Sequence, residues 1–145
     1  SSMRQDSNLL RQDLVHRLED ESKGLIIMKG DKEIYSSAEP GIAALLKATE
    51  DIEPTLLRDS IVVDKVVGRA AALIIVSFRA RAVHAGIMSR AATRVLQEHS
   101  KAFSYLELVD EIKGRNGLGI CRFEELVSGI EDPKEALNSL KRAMA

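Results

Sequence analysis

The only thiol of the chain stands in the stretch Lys113-Gly114-Arg115-Asn116-Gly117-Leu118-Gly119-Ile120-Cys121-Arg122-Phe123-Glu124-Glu125. A thiolate is favoured by a helix N-terminus and by a neighbouring guanidinium, so Cys121, ahead of a predicted helix and beside Arg122, has the setting of a nucleophile. The same residue equally suits a small buried hydrophobe, the commoner use of a lone cysteine. Glu124 and Glu125 suit the positive end of that helix, and Glu124 is placed to reach back and cap it. Arg115-Asn116, in a glycine-rich loop, could grip an anion or could form a solvated turn. One cysteine excludes both an internal disulfide and the thiolate pair of a zinc site.

A second group of reactive side chains lies in Asp64-Lys65-Val66-Val67-Gly68-Arg69. Asp64 is a good N-cap for a helix beginning beside it, and Lys65 could hold a phosphate or carboxylate next to that helix's first amides. The plainer alternative is a simple cap and a solvated lysine. Gly68 suits close packing, whereas Arg69 interrupts an apolar helix and requires solvent, an acidic partner or a pocket. Ser89 has the position of a helix cap more than that of a nucleophile, because no histidine or carboxylate stands at a spacing that makes a triad legible. His16, His84 and His99 are scattered over different segments and are read as structural or exposed.

The elements that must position these groups are set by the rest of the chain. With 145 residues, 45% of them hydrophobic and 30% charged, one globular domain can bury a core without staples. Aromatics make up only 3%, so that core is built from Leu, Ile, Val and Ala. Twenty-one basic against 22 acidic residues leave no global field for nucleic acid. Ser1-Ser2-Met3 reads as a cloning remnant ahead of a domain over residues 4–145. The N-terminus lacks the basic region and apolar run of a signal peptide. The most apolar stretch, Val66 to Phe78, is broken by Arg69 and is shorter than the roughly 20 residues of a membrane span. A cytoplasmic protein with no membrane partner is expected, and the single cysteine fits a reducing compartment.

Leu10, Leu14 and Leu18 recur between polar positions and predict an amphipathic helix over roughly residues 7–22. Leu25 to Met28 and Glu33 to Ser36 read as a hairpin turning at Gly30-Asp31. A short helix follows through Ile42, Leu45 and Leu46, and Thr49 to Arg58 reads as a surface connection. From Val66 to Val76 nearly every residue is apolar, which predicts a central buried helix with Asp64 as its cap. A third strand is expected within Ala80 to Ala85, and a helix from about Ser89 to His99 with Met88 on its apolar stripe. "AFSYLELVDEI" fits a strand or a short helix equally well. A helix from Phe123 to about Gly129 precedes a last one opened by Asp132-Pro133. This order predicts an α/β domain with one sheet covered by helices on both faces.

"DSIVVDKVVGRAAALIIV", "VHAGIMSRAATRVLQEH" and "SYLELVDEIKGRNGLGICRFEE" together resemble an uncharacterised prokaryotic family with a cytidine-deaminase-like fold. The similarity covers roughly residues 10–140, three segments agreeing in order and spacing. Family members typically carry Asp-Lys-Val-Val-Gly-Lys-Ala-Ala-Ala and, near the end, Gly-x-Cys-Pro-x-Glu. This chain departs from them with Arg69 in place of lysine and Arg122 in place of the proline. The resemblance implies a single mixed sheet of about four to five strands and a ligand site at the sheet edge. It also implies loss of the zinc machinery, since Asp64-Lys65 stands where His-x-Glu would open the buried helix. Likewise, Gly86-Ile87-Met88-Ser89 stands where Pro-Cys-x-x-Cys would open the next helix. His84-Ala85-Gly86 is not read as a relic of His-Ala-Glu, because it falls on a strand and glycine moves no proton.

On this resemblance "VVDKVVGRA" and "KGRNGLGICRFEE" become two walls of one pocket. Its ligand-binding candidates are Asp64, Lys65, Arg69, Ser89, Arg115, Asn116 and Cys121, with no metal and no cofactor. Three functions compete. The first is a zinc-free module binding a small anionic or nucleotide-like ligand without deaminase activity. The second is an enzyme of another chemistry using Cys121, Glu124 or Lys65. The third is a scaffold that assembles as a homodimer or larger oligomer and has no small-molecule site.

Overall fold

A computed structural model of the chain describes residues 12–39, 41–114, 117 and 119–145. Residues 12–20 are helical (α1), and Val15 and Leu18 are buried with Leu14 packed beside them. Leu10 lies outside the described residues. The predicted hairpin is present as β1 (Leu25–Lys29) and β2 (Lys32–Ser37), which turn through Gly30 at a φ of 60°. A positive φ there costs glycine little.

The short helix through Leu45 and Leu46 forms α2 (Ile42–Asp51). The stretch expected to be a surface connection instead contains a further turn of helix, α3 (Pro54–Leu57), opened by Pro54 and anchored by the buried Leu57.

The largest departure from expectation comes next. Asp64 does not cap a helix; it lies inside a strand, β3 (Ile61–Val67), and the buried helix α4 (Arg69–Ser77) begins only after Gly68. A strand buried on both faces shows no alternation, so its apolar run merges with that of the following helix. The change from the β-branched Val66-Val67 to Ala70-Ala71-Ala72 marks the true boundary. Helix α4 is buried from Ala70 to Val76, as its all-round apolar character requires.

The third predicted strand is the fourth in the chain, β4 (Ala82–Ser89), and it extends four residues beyond Ala85, taking Met88 out of the following helix. That helix is α5 (Arg90–Glu98), with Ser89 as its cap: Ser89 Oγ accepts the N–H of Ala92 at 3.1 Å. The ambiguous segment is a strand, β5 (Ala102–Val109). Two helices complete the chain, α6 (Arg122–Val127) and α7 (Pro133–Met144). The Asp132 carboxylate accepts the N–H of Glu135 at 3.1 Å, so the Asp-Pro start signal acts as read.

The five strands form one mixed sheet in the order β2-β1-β3-β4-β5. β1 pairs antiparallel with both β2 and β3, whereas β3, β4 and β5 run parallel. Helix α1 covers one face over Ile26, Met28, Ile61, Val63 and Ala82. Buried side chains of α2, α4, α5, α6 and α7 meet the other face, over Leu25, Ile27, Val62, Val83 and Met88. The chain is therefore an α/β protein with one mixed five-stranded sheet and, among the described residues, seven helices on its two faces. None of the described helices is long and apolar enough to cross a membrane.

Candidate functional site

Parallel β3, β4 and β5 end on the same edge of the sheet, and α4 and α5 start there. In open α/β sheets this carboxyl edge is where ligands bind. What the chain places there follows from how each helix start is satisfied. Helix α5 is capped by its own Ser89. Helix α4 has only Gly68 at its N-cap and no side-chain cap of its own.

Glu124, from the first turn of α6, supplies the cap. Its Oε1 accepts the N–H of Arg69 at 2.8 Å and its Oε2 accepts the N–H of Ala70 at 2.7 Å. Glu124 was expected to cap its own helix; it caps α4 instead, where the two orphan donors are nearer the core. Gly68 makes room for this approach. A Cβ there would run into Glu124 Oε1 and would stand 2.8 Å from Ile112 Cγ1.

Arg69 returns the contact. Its Nε donates to the carbonyl of Val127 at 3.1 Å and its Nη2 to that of Ile130 at 2.7 Å, while Glu131 lies 3.4 Å from the guanidinium. Thus the first residue of α4 holds the last carbonyl of α6, and a residue of α6 holds the first amides of α4. A cation at a helix C-terminus and an anion at a helix N-terminus are each favourable, and here they form one reciprocal clasp. Replacing Arg69 by lysine keeps the charge but leaves one of the two carbonyls unbonded. A loss of about 1–2 kcal/mol is expected, read as a lower urea midpoint at unchanged m-value.

Beside the clasp opens a cleft of about 410 Å³. Arg69, Ser89 and Glu124 line it among the sequence candidates, and Ile112 and Ile120 supply apolar wall. The rest of its charge comes from residues that sequence reasoning missed: Arg94 and Glu98 on α5, Asp110 and Glu111 just past β5, and Glu131 before α7. Two arginines thus face five carboxylates, and several charges are engaged. Arg69 serves the carbonyls of Val127 and Ile130, Asp110 is 2.8 Å from Arg90, and Glu111 is 2.9 Å from Lys113. The available signal was positional: Asp110 and Glu111 follow a parallel strand, and Arg94 and Glu98 lie on the polar side of the helix after another.

The remaining candidates lie elsewhere. Asp64 is buried in the middle of the sheet, beside Leu25 and Ala85, where its carboxylate accepts a long 3.4 Å bond from the N–H of Val66. Burial pushes this carboxyl up to about 7, against the lesser opposing effect of backbone hydrogen bonds from Val66 and Lys65. Lys65 is exposed on β3, and neither it nor Asp64 lines the cleft. Cys121 is half-buried at the N-cap of α6, does not line the cleft, and makes no side-chain cap. Arg122 lays its guanidinium 4.4 Å from the centre of the Phe123 ring. Arg115 and Asn116 lie outside the described residues. Among the described residues, no group of three His, Cys, Asp or Glu side chains is arranged to hold a metal ion.

Comparison with known proteins places this architecture. The chain is similar, over 94% of its length and 90% of the other's, to the crystal structure of a DUF1893 family protein (TM1506) from Thermotoga maritima. The TM-score is 0.80 and the sequence identity 28%. No curated protein matches the chain. The family model described as TM1506, domain of unknown function (DUF1893), matches residues 13–144, a span that includes both halves of the clasp and every residue lining the cleft. The chain belongs to the DUF1893 family.

Proposed function

We propose that this chain is a zinc-free module with a cytidine-deaminase-like fold that binds a small, nucleoside-sized ligand in the cleft beside Glu124 and does not deaminate it. The observation that carries the reading is the cleft itself, about 410 Å³ at the carboxyl edge of the parallel strands, a size and a place that suit a small ligand. The mixed sheet and its two βαβ crossovers, β3-α4-β4 and β4-α5-β5, support the fold assignment.

Zinc does not fit here. Helix α4 opens with Gly68-Arg69 and α5 with Ser89-Arg90, so neither helix start presents an imidazole or a thiol. The lining also decides between kinds of ligand. Glu124 already takes the amides of Arg69 and Ala70, the groups that would otherwise hold a phosphate. With five carboxylates on the wall, a ligand that donates hydrogen bonds, such as the amino and hydroxyl groups of a nucleoside, is favoured over a polyanion. Arg94 remains for a single acceptor group.

Thermal unfolding with nucleosides, nucleotides and sugar phosphates tests this. At ten times its dissociation constant, a bound nucleoside is expected to raise the midpoint by about 3–5 °C. Triphosphates are expected to do less, and Glu98→Lys to abolish the shift. A flat response across the panel at millimolar ligand would overturn the reading, as would triphosphates acting as the strongest stabilisers.

A further inference from the structure

The sheet has two edges, and only one is protected. β2 carries Lys32 and Glu33, its register with β1 slips between Ile27 and Met28, and Glu33 is held 3.1 Å from Arg17 on α1. Charges and a register slip on an edge strand discourage further pairing. β5 has none of these devices. Its eight residues, Ala-Phe-Ser-Tyr-Leu-Glu-Leu-Val, include one charge. Its pairing with β4 holds one register from Ala82↔Ala102 to Ser89↔Val109. Among the described residues, no strand pairs with its outer side. Tyr105 is 39% exposed and Leu106 46%, so large apolar side chains are left on an open edge.

The charges along this edge are self-complementary in one antiparallel register. A two-fold axis requires the central residue to face its own copy. With Leu106 on the axis, Tyr105 faces Glu107 of the partner subunit, Phe103 faces Val109 of the partner subunit, and Lys101 faces Glu111 of the partner subunit. No like charges oppose one another, and an opposite-charge pair closes each end. Shifting the axis to Tyr105 would set Phe103 against a glutamate and Lys101 against a valine. We propose that β5 is a homodimer interface, pairing antiparallel with β5 of a second copy about Leu106. Glu111 lines the cleft, so the lysine at 101 of the second copy would stand at the cleft rim and offset part of its negative charge. This assembly stands independently of any ligand.

Sedimentation of the full chain at micromolar to hundred-micromolar concentrations tests it, with circular dichroism to verify folding. The wild type is expected to be dimeric in the upper part of this range. Leu106→Arg, which sets like charges on the axis at an exposed position, is expected to be a folded monomer. Lys101→Glu or Glu111→Lys alone is expected to weaken association about tenfold, and the two together to restore it. A wild type that stays monomeric overturns the proposal, including one that instead captures an extended peptide on this edge. A dimer indifferent to Leu106→Arg, or a double charge swap that fails to restore association, overturns it equally.

Discussion

Replacing Glu124 by alanine is expected to lower the stability of the fold by about 2–4 kcal/mol, a large effect for a glutamate outside the core. The carboxylate accepts two charge-assisted bonds from the first amides of α4, and Gly68 offers no side chain to take its place. Without it, two donors of a helix buried along nearly its whole length lose their partner. Glu124→Gln keeps one acceptor and is expected to cost about half as much. Gly68→Ala gives an independent check on the same contact. Gly68 has a φ of −98° and a ψ of −171°, open to any residue, so its substitution reports the displaced carboxylate and not backbone strain. Urea unfolding at constant m-value reads all three variants. If Glu124→Ala costs under about 0.5 kcal/mol, the clasp does not hold α6 to α4.

Asp64→Asn is expected to stabilise the protein above neutral pH and to change little below about pH 4. The carboxyl is 6% exposed, faces the apolar interior of the sheet, and titrates at about 7 in the folded chain against an ordinary 3.8. Between those values the folded state holds a proton that the unfolded state has released. Stability therefore falls as pH rises from about 4 through 7, and the full penalty stands above that. The ceiling is roughly 4 kcal/mol at 1.36 kcal/mol per pH unit. Asparagine keeps the acceptor for the Val66 N–H and removes the charge, so its profile between pH 4 and 8 should lose this slope and gain about 2–4 kcal/mol at pH 8. Parallel slopes for the variant and the wild type would show that Asp64 is not the group that titrates.

Local signals were legible wherever one residue type has one physical use. Ser89 caps α5, Asp132-Pro133 opens α7, and Gly30-Asp31 turns the hairpin, all as the sequence implies. Asp64 reads as a helix cap because a small acidic residue beside an apolar run suits a cap and a buried strand position alike. Nothing in period or composition separates β3 from α4 except the change from valine to alanine on either side of Gly68. The clasp was out of reach for a different reason. Glu124 and Arg69 meet across 55 residues, and only the packing of α6 over the start of α4 brings them together. The cleft is half legible: Arg69, Ser89 and Glu124 have types and positions that suggest chemistry, while nothing in the sequence sets Arg94, Glu98, Asp110 and Glu111 apart from other charged residues.

The proposed small-ligand site at the carboxyl edge of the parallel strands can be tested by following amide chemical shifts of the isotope-labelled chain titrated with nucleosides. Saturable shifts are expected, concentrated at Arg94, Glu98 and Asp110 to Ile112, with the amides of Arg69 and Ala70 moving little because Glu124 keeps them. Shifts scattered over the surface without saturation, or none at millimolar nucleoside, would contradict it.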